Sequence, residues 1–239
     1  MKKNKFTNNV VDTRYVCDLI TDYDELSEIS EEVDVTKANK EVQDIVIKLK
    51  NTMRANPDML GLSAPQIGFK KRIFCLNFDG DIRTFVNPVI DYADLAKGQL
   101  TLSLETCHSD NNQKYLRLRY DNITVMYQTP TGEIKSCNLL GVAANLYQHH
   151  VDHLNGILLS DIGLPIEDDF FDMTEDEQSQ IINMYLDSID MSNANIKDEI
   201  KNNEELAKLD DMARFIDSVN KGETILATVD EVGGIINNE

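Results

Sequence analysis

The segment Gln148-His149-His150-Val151-Asp152-His153-Leu154-Asn155-Gly156 holds three of the chain's four histidines. Read as a helix over residues 142–154, it sets His149 and His153 on one face a turn apart, the separation at which two imidazoles hold one ion. Gly156 is placed to end that helix. The fourth histidine lies in Glu105-Thr106-Cys107-His108-Ser109, where Cys107 offers a third ligand and leaves a coordination position open for water, as a catalytic metal requires. Packed or surface histidines clustered by accident are the bland alternative, disfavoured because no histidine occurs elsewhere in the 239 residues. One group is missing. In helical sites of the His-Glu-x-x-His type a glutamate follows the first histidine and takes a proton from the attacking water; here His150 stands in that place.

The flanking sequence supplies the scaffold. Residues 36–56 read as an amphipathic helix, with Thr36 as its cap, Val42, Ile45, Val46, Leu49 and Met53 at helical spacing, and Asn56-Pro57 as its stop. A loop carrying residues 61–68 follows. Residues 72–77 and 82–86 read as strands around the turn Asp79-Gly80, and Asn87-Pro88 interrupts the second. Residues 99–105 form another strand leading into Cys107, and residues 123–128 and 133–139 form a hairpin around Thr129-Pro130-Thr131-Gly132. One helix, several strands and one more helix define an α+β domain rather than a regularly alternating α/β fold.

The net charge of −19 is uneven: residues 166–239 carry 20 acidic and 5 basic side chains. That balance argues against general nucleic-acid binding and against docking to anionic membranes, and it suits a basic protein partner. Cys17, Cys75, Cys107 and Cys137 are widely spaced, without the pairing pattern of a disulfide scaffold, so a reducing, cytoplasmic setting is the default. No signal-peptide or membrane-spanning stretch is evident. The chain divides into residues 1–165 and an acidic, mainly helical extension over residues 166–239. In the extension, Thr174-Glu175-Asp176-Glu177 is a capping-box pattern before Ile181, Ile182, Tyr185, Leu186 and Ile189. A second stripe holds Leu209, Met212, Ala213, Ile216 and Val219. One reading is a partner-binding arm; the other, of equal weight, is helices folded back on the domain or a partly disordered solvating tail.

Three segments in this order resemble the peptide deformylase family, enzymes that remove the formyl group from N-terminal formylmethionine. Gly61-Leu62-Ser63-Ala64-Pro65-Gln66 is similar to the family's Gly-Leu-Ala-Ala-Pro-Gln, Glu105-Thr106-Cys107-His108-Ser109 to its Glu-Gly-Cys-Leu-Ser, and residues 148–156 to its Gln-His-Glu-x-Asp-His-Leu-x-Gly. The resemblance covers roughly residues 12–164. It implies mixed or antiparallel sheets around a central metal-binding helix. Cys107, His149 and His153 would be the ligands of ferrous iron, with zinc or nickel able to replace it. Gln66 and the backbone N–H of His108 would face the developing oxyanion, with Glu105 and Asp152 orienting the ligands. Leu60, Gly61, Ser103, Val142, Asn145 and Leu146 would line the substrate pocket.

The departures fall on the chemistry. His150 replaces the general-base glutamate, Thr106 replaces a glycine, and Asn145 and Ser103 put polar groups where a methionine side chain needs an apolar wall. The leading expectation is a degenerate, catalytically impaired homologue that binds a divalent metal and acts through protein partners of its C-terminal extension, as part of a larger assembly such as a phage particle. The alternative is an active deformylase of N-formylmethionyl peptides with His150 as base. A weaker third is another metal-assisted amide hydrolase whose substrate suits Asn145 and Ser103.

Overall fold

The computed structural model describes residues 11–35, 39–91 and 99–188. Along the chain run α1 (Tyr23–Leu26), α2 (Lys40–Ala55), β1 (Gly61–Ser63), β2 (Ile73–Phe78), β3 (Asp81–Ile90), β4 (Leu100–Thr106), β5 (Lys114–Tyr120), β6 (Asn122–Gln128), β7 (Ile134–Leu140), α3 (Gly141–Leu154), α4 (Leu159–Ile162), β8 (Leu164–Ile166) and α5 (Glu175–Ser188). The strands form one sheet in the order β1-β2-β3-β6-β7 and a second in the order β4-β5-β8. Every neighbouring pair is antiparallel. Helix α3 touches β1, β2, β6 and β7 of the larger sheet and β5 of the smaller, so the histidine helix is the element between them.

Strand β2 shows why the larger sheet needs a helix on each face. Ile73 and Cys75 pack with Val42, Ile45, Leu49 and Met53 of α2, whereas Phe74 and Leu76 pack with Ala144, Tyr147 and Val151 of α3. Successive side chains of a strand point to opposite faces, so a continuously apolar run is the pattern of a strand covered twice. Phe74, Phe85 and Tyr147 meet ring to ring, with centroids 5.0–5.3 Å apart. Fully burying one such large apolar side chain contributes roughly 1.5–3 kcal/mol, and these rings fix the height of α3 over the sheet.

Helix α2 starts at Lys40, later than residue 36, because Asn39 caps it: its side-chain oxygen accepts from the Glu41 N–H at 2.9 Å. Thr36 lies outside the described residues. Asn87-Pro88 does not end β3 but makes a bulge in it, with a register shift between Val86 and Val89 and Asn87 at φ 46°. Asparagine tolerates that left-handed conformation. Its side chain bonds both the N–H and the carbonyl of Val33 as well as Gln128. Residues 61–63, expected within a loop, pair with β2 as β1. Strands β5 and β8 are additions to the expected elements, although Leu116 and Leu118 alternate in sequence with Arg117 and Arg119 as a half-buried strand does.

Helix α5 opens on the capping box expected at Thr174: Glu177 N–H donates to Thr174 Oγ1 at 3.4 Å, and Thr174 N–H to Glu177 Oε2 at 2.9 Å. Ile182, Tyr185 and Leu186 then pack with Leu102, Leu104, Leu116 and Leu118 of the smaller sheet. This stretch therefore folds back on the sheet; the stripe from Leu209 to Val219 lies outside the described residues. Leu186 is only 1% exposed, so Leu186→Ala should cost about 2–5 kcal/mol through lost burial and a residual cavity. An unchanged urea midpoint would show that α5 does not contribute to the core.

Candidate metal centre

Helix α3 carries His149 and His153 one turn apart, and the end of β4 brings Cys107 to them. Cys107 leaves the strand as the cap of a short turn of 3-10 helix over His108–Asp110, its carbonyl accepting the N–H groups of Asp110 and Asn112 at 3.0 Å each. Cys107 Sγ lies 3.3 Å from His153 Nε2. One ligand atom from each of Cys107, His149 and His153 falls within 4.8 Å of the others, and all three residues are buried. His149 Nδ1 meets Glu105 Oε2 at 3.0 Å, which turns its Nε2 toward the cluster.

Behind His149 runs a chain of charge. Glu105 accepts two bonds from Arg119, from Nε at 2.7 Å and Nη2 at 2.9 Å, and Arg119 Nη1 donates to Asp152. The residues expected to orient the ligands are thus joined through a guanidinium that sequence reasoning missed. The available signal was chemical: a buried carboxylate requires a cation, and Arg119 sits on the strand paired with β4.

Burial alone would raise the Glu105 carboxyl, but Arg119 and His149 outweigh it and hold the group at about 2. The Cys107 thiol, also opposed by burial, is drawn well below its ordinary value by His153 and His149. His149 is raised to about 9, burial being overcome by Cys107 and Glu105. The thiolate is the metal-binding form of cysteine, and one thiolate with two imidazoles suits zinc or ferrous iron. The residues fit a divalent ion. His153 Nδ1 is buried without a hydrogen-bond partner, so His149 alone of the two has the carboxylate support that commonly fixes a ligating imidazole. Purified protein should hold about one divalent ion per chain, and Cys107→Ala or His153→Ala should release it. Elemental analysis of anaerobically prepared protein offered iron, zinc or nickel checks this, and a metal-free wild type would contradict it.

Gln66 lies in a turn of 3-10 helix over Ala64–Ile67. Its Oε1 accepts from Ser63 N–H at 2.9 Å, while Nε2 donates to Ser109 Oγ at 3.1 Å and approaches Cys107 Sγ at 3.6 Å. Its donor end therefore faces the cysteine. Of the expected pocket residues, Ser103 and Asn145 meet directly, Asn145 Nδ2 donating to Ser103 Oγ at 2.9 Å. Gly61 opens β1 with Leu60 just before it, and Val142 and Leu146 lie on the first turns of α3.

His150 is packed rather than presented. It is 3% exposed, stacks on Phe74 at 5.4 Å and bonds through Nδ1 to Ser63 Oγ at 2.8 Å. Its Nε2 is pressed toward Gly61, where an added Cβ would lie 2.0 Å away. Burial, and then the charges of His149, His153 and Arg119, push its basicity well below that of an ordinary histidine. Ser63 is a second residue that sequence reasoning passed over, although it stands where the resembling motif has alanine. The imidazole and its hydroxyl partner thus replace one residue in each of two of the resembling motifs, His150 the glutamate of one and Ser63 an alanine of the other.

The profile of the polypeptide deformylase family matches residues 18–165, and the chain belongs to that family. It is 32% identical over 127 residues to the peptide deformylase of Thermotoga maritima, covering 53% of this chain and 75% of the relative. It is 30% identical over 151 residues to that of Symbiobacterium thermophilum, covering 62% and 67%. The crystal structure of the Thermotoga maritima enzyme superposes with a TM-score of 0.55 at 28% identity, covering 63% of this chain and 99% of that one. A Met-Ala-Ser-bound class I type b peptide deformylase of Acinetobacter baumannii shares the fold at a TM-score of 0.55 and 24% identity, over 62% and 98% of the two chains.

Proposed function

We propose that the protein holds a divalent ion through Cys107, His149 and His153, binds N-terminal peptide segments beside it, and deformylates them poorly. Iron is the ion the family resemblance favours, with zinc or nickel as substitutes. When bound, the ion supplies Lewis acidity toward a carbonyl and lowers the pKa of water. In this reading the Gln66 amide, its oxygen anchored by Ser63, and the backbone N–H of His108 stabilise a developing oxyanion. Glu105, Arg119 and Asp152 hold His149 in place.

The observation that carries the reading is the state of His150. Where a proton acceptor and donor is needed stands a buried imidazole, bonded through Nδ1 to Ser63 and with Nε2 directed at Gly61. A base must be able to hold the proton it takes before returning it to the leaving amine; the burial and positive surroundings of His150 oppose that first step. Loss of such assistance costs about 10²–10⁴ in rate. The test is release of formate from formyl-Met-Ala-Ser by the iron-loaded chain, beside the Thermotoga maritima enzyme under the same conditions. Activity lower by about a hundredfold or more is expected, and equal activity overturns the reading.

Binding without efficient turnover leaves an interaction role, and charge supports one. Residues 166–188 contain eight acidic and no basic side chains, a surface complementary to a basic protein partner. A second reading, an active deformylase with His150 as base, has one observation in its favour: Ser63 orients the ring through Nδ1, as a third group orients the base in nucleophilic triads.

A further inference from the structure

We propose that Ser103 and Asn145 form a polar subsite beside the metal centre that selects a substrate residue ending in a carboxamide over the thioether of methionine. The proposal rests on the reading of this centre as a peptide-binding site and names the side chain it prefers. Helix α3 and strand β4 are tied by two side-chain bonds, His149 to Glu105 and Asn145 to Ser103. Asn145 precedes His149 by one turn, and Ser103 precedes Glu105 by two residues on the same strand face. The second tie therefore lies about 6 Å along both elements from the first, on the side of α3 that carries the ligand His149.

Within that tie the hydrogen bonds do not close. Ser103 is 1% and Asn145 6% exposed, the Asn145 amide nitrogen is used by Ser103, and Asn145 Oδ1 is buried with no partner. Turning the amide end for end moves the deficit without removing it: the oxygen then accepts from the serine hydroxyl, and the nitrogen is left unpaired. A partner carrying both a donor and an acceptor completes the set in either orientation. A primary carboxamide does so, whereas a thioether is a weak acceptor with no donor. Sites with buried polar groups reject a ligand that leaves them unpaired more sharply than an apolar pocket rejects a small change of shape. Glutamine, unbranched and close to methionine in length, is the residue that fits.

The test is calorimetric titration of the metal-loaded full chain with Gln-Ala-Ser, Met-Ala-Ser and norleucyl-Ala-Ser, which needs no turnover. The glutaminyl peptide should bind roughly five- to tenfold tighter than the other two, and Asn145→Leu should abolish the difference. Tighter binding of Met-Ala-Ser to the wild type overturns the subsite and leaves the peptide-binding reading standing. Equal affinity for all three does the same, an ordered water then being the partner of Asn145. Absence of binding by any of them overturns both. The wild-type comparison decides the matter even if Asn145→Leu does not fold.

Discussion

His150→Glu should raise the deformylase kcat/KM of the iron-loaded protein by about 10²–10⁴, the usual worth of general acid–base assistance. The surroundings already suit an anion. Burial, and then the charges of His149, His153 and Arg119, disfavour a protonated His150; burial opposes a carboxylate too, but in the loaded protein Arg119 and the divalent ion supply the positive field that favours one. Ser63 Oγ, now bonded to Nδ1 at 2.8 Å, can donate its proton to a carboxylate oxygen as readily as to a ring nitrogen. Gly61 leaves room, since it has no Cβ to meet a side chain from α3. Steady-state rates on formyl-Met-Ala-Ser measure the change. If activity is strong in the wild type and lost in His150→Glu, His150 is a working base and the impaired reading falls. If both proteins are inactive and both bind metal, the obstacle lies at Ser103 and Asn145, and a formyl-glutaminyl peptide becomes the informative substrate.

The site was legible in the sequence where chemistry forces local spacing, and much less so where it depends on strand pairing. His149 and His153 are joined by helical geometry, and Cys107 stands out beside the chain's remaining histidine, so their convergence followed from residue type and interval. Ser103 and Asn145 were legible for a related reason: each shares a face with a site residue on its own element, and the structure joins them. Arg119 and Ser63 carry no such signal. Arg119 reaches Glu105 because β5 pairs with β4 in one particular register, and Ser63 reaches His150 across 87 positions of sequence. The fold class followed from element order, yet β1, at 3 residues, is shorter than a periodicity argument can resolve. The bulge at Asn87-Pro88 shows the limit from the other side. Proline marks an interruption of hydrogen bonding, and only the tertiary bonds of Asn87 decide that the strand continues beyond it.

Arg119→Met should destabilise the metal-free protein by roughly 3–5 kcal/mol, because it leaves buried charge without its partner. Arg119 is 3% exposed and is the cation between Glu105 and Asp152. A buried ion pair is weak evidence of net stabilisation, since taking both charges out of water offsets much of their attraction; removing one partner is a different matter, because the desolvated carboxylate remains. The penalty should therefore shrink when the carboxylates are neutralised as well, in Arg119→Met/Glu105→Gln/Asp152→Asn, although that triple variant removes two more charged groups. Urea unfolding of metal-free protein separates this effect from ligation. Metal affinity supplies the second readout: Glu105 would lose the anchor that aims it at His149, and loss of such outer support typically costs about 10–100-fold in affinity. A stability change below about 1 kcal/mol in Arg119→Met, the range of an exposed pair, would mean that water reaches Glu105. The chain Asp152, Arg119, Glu105, His149 would then not be the rigid support that holds the centre in shape.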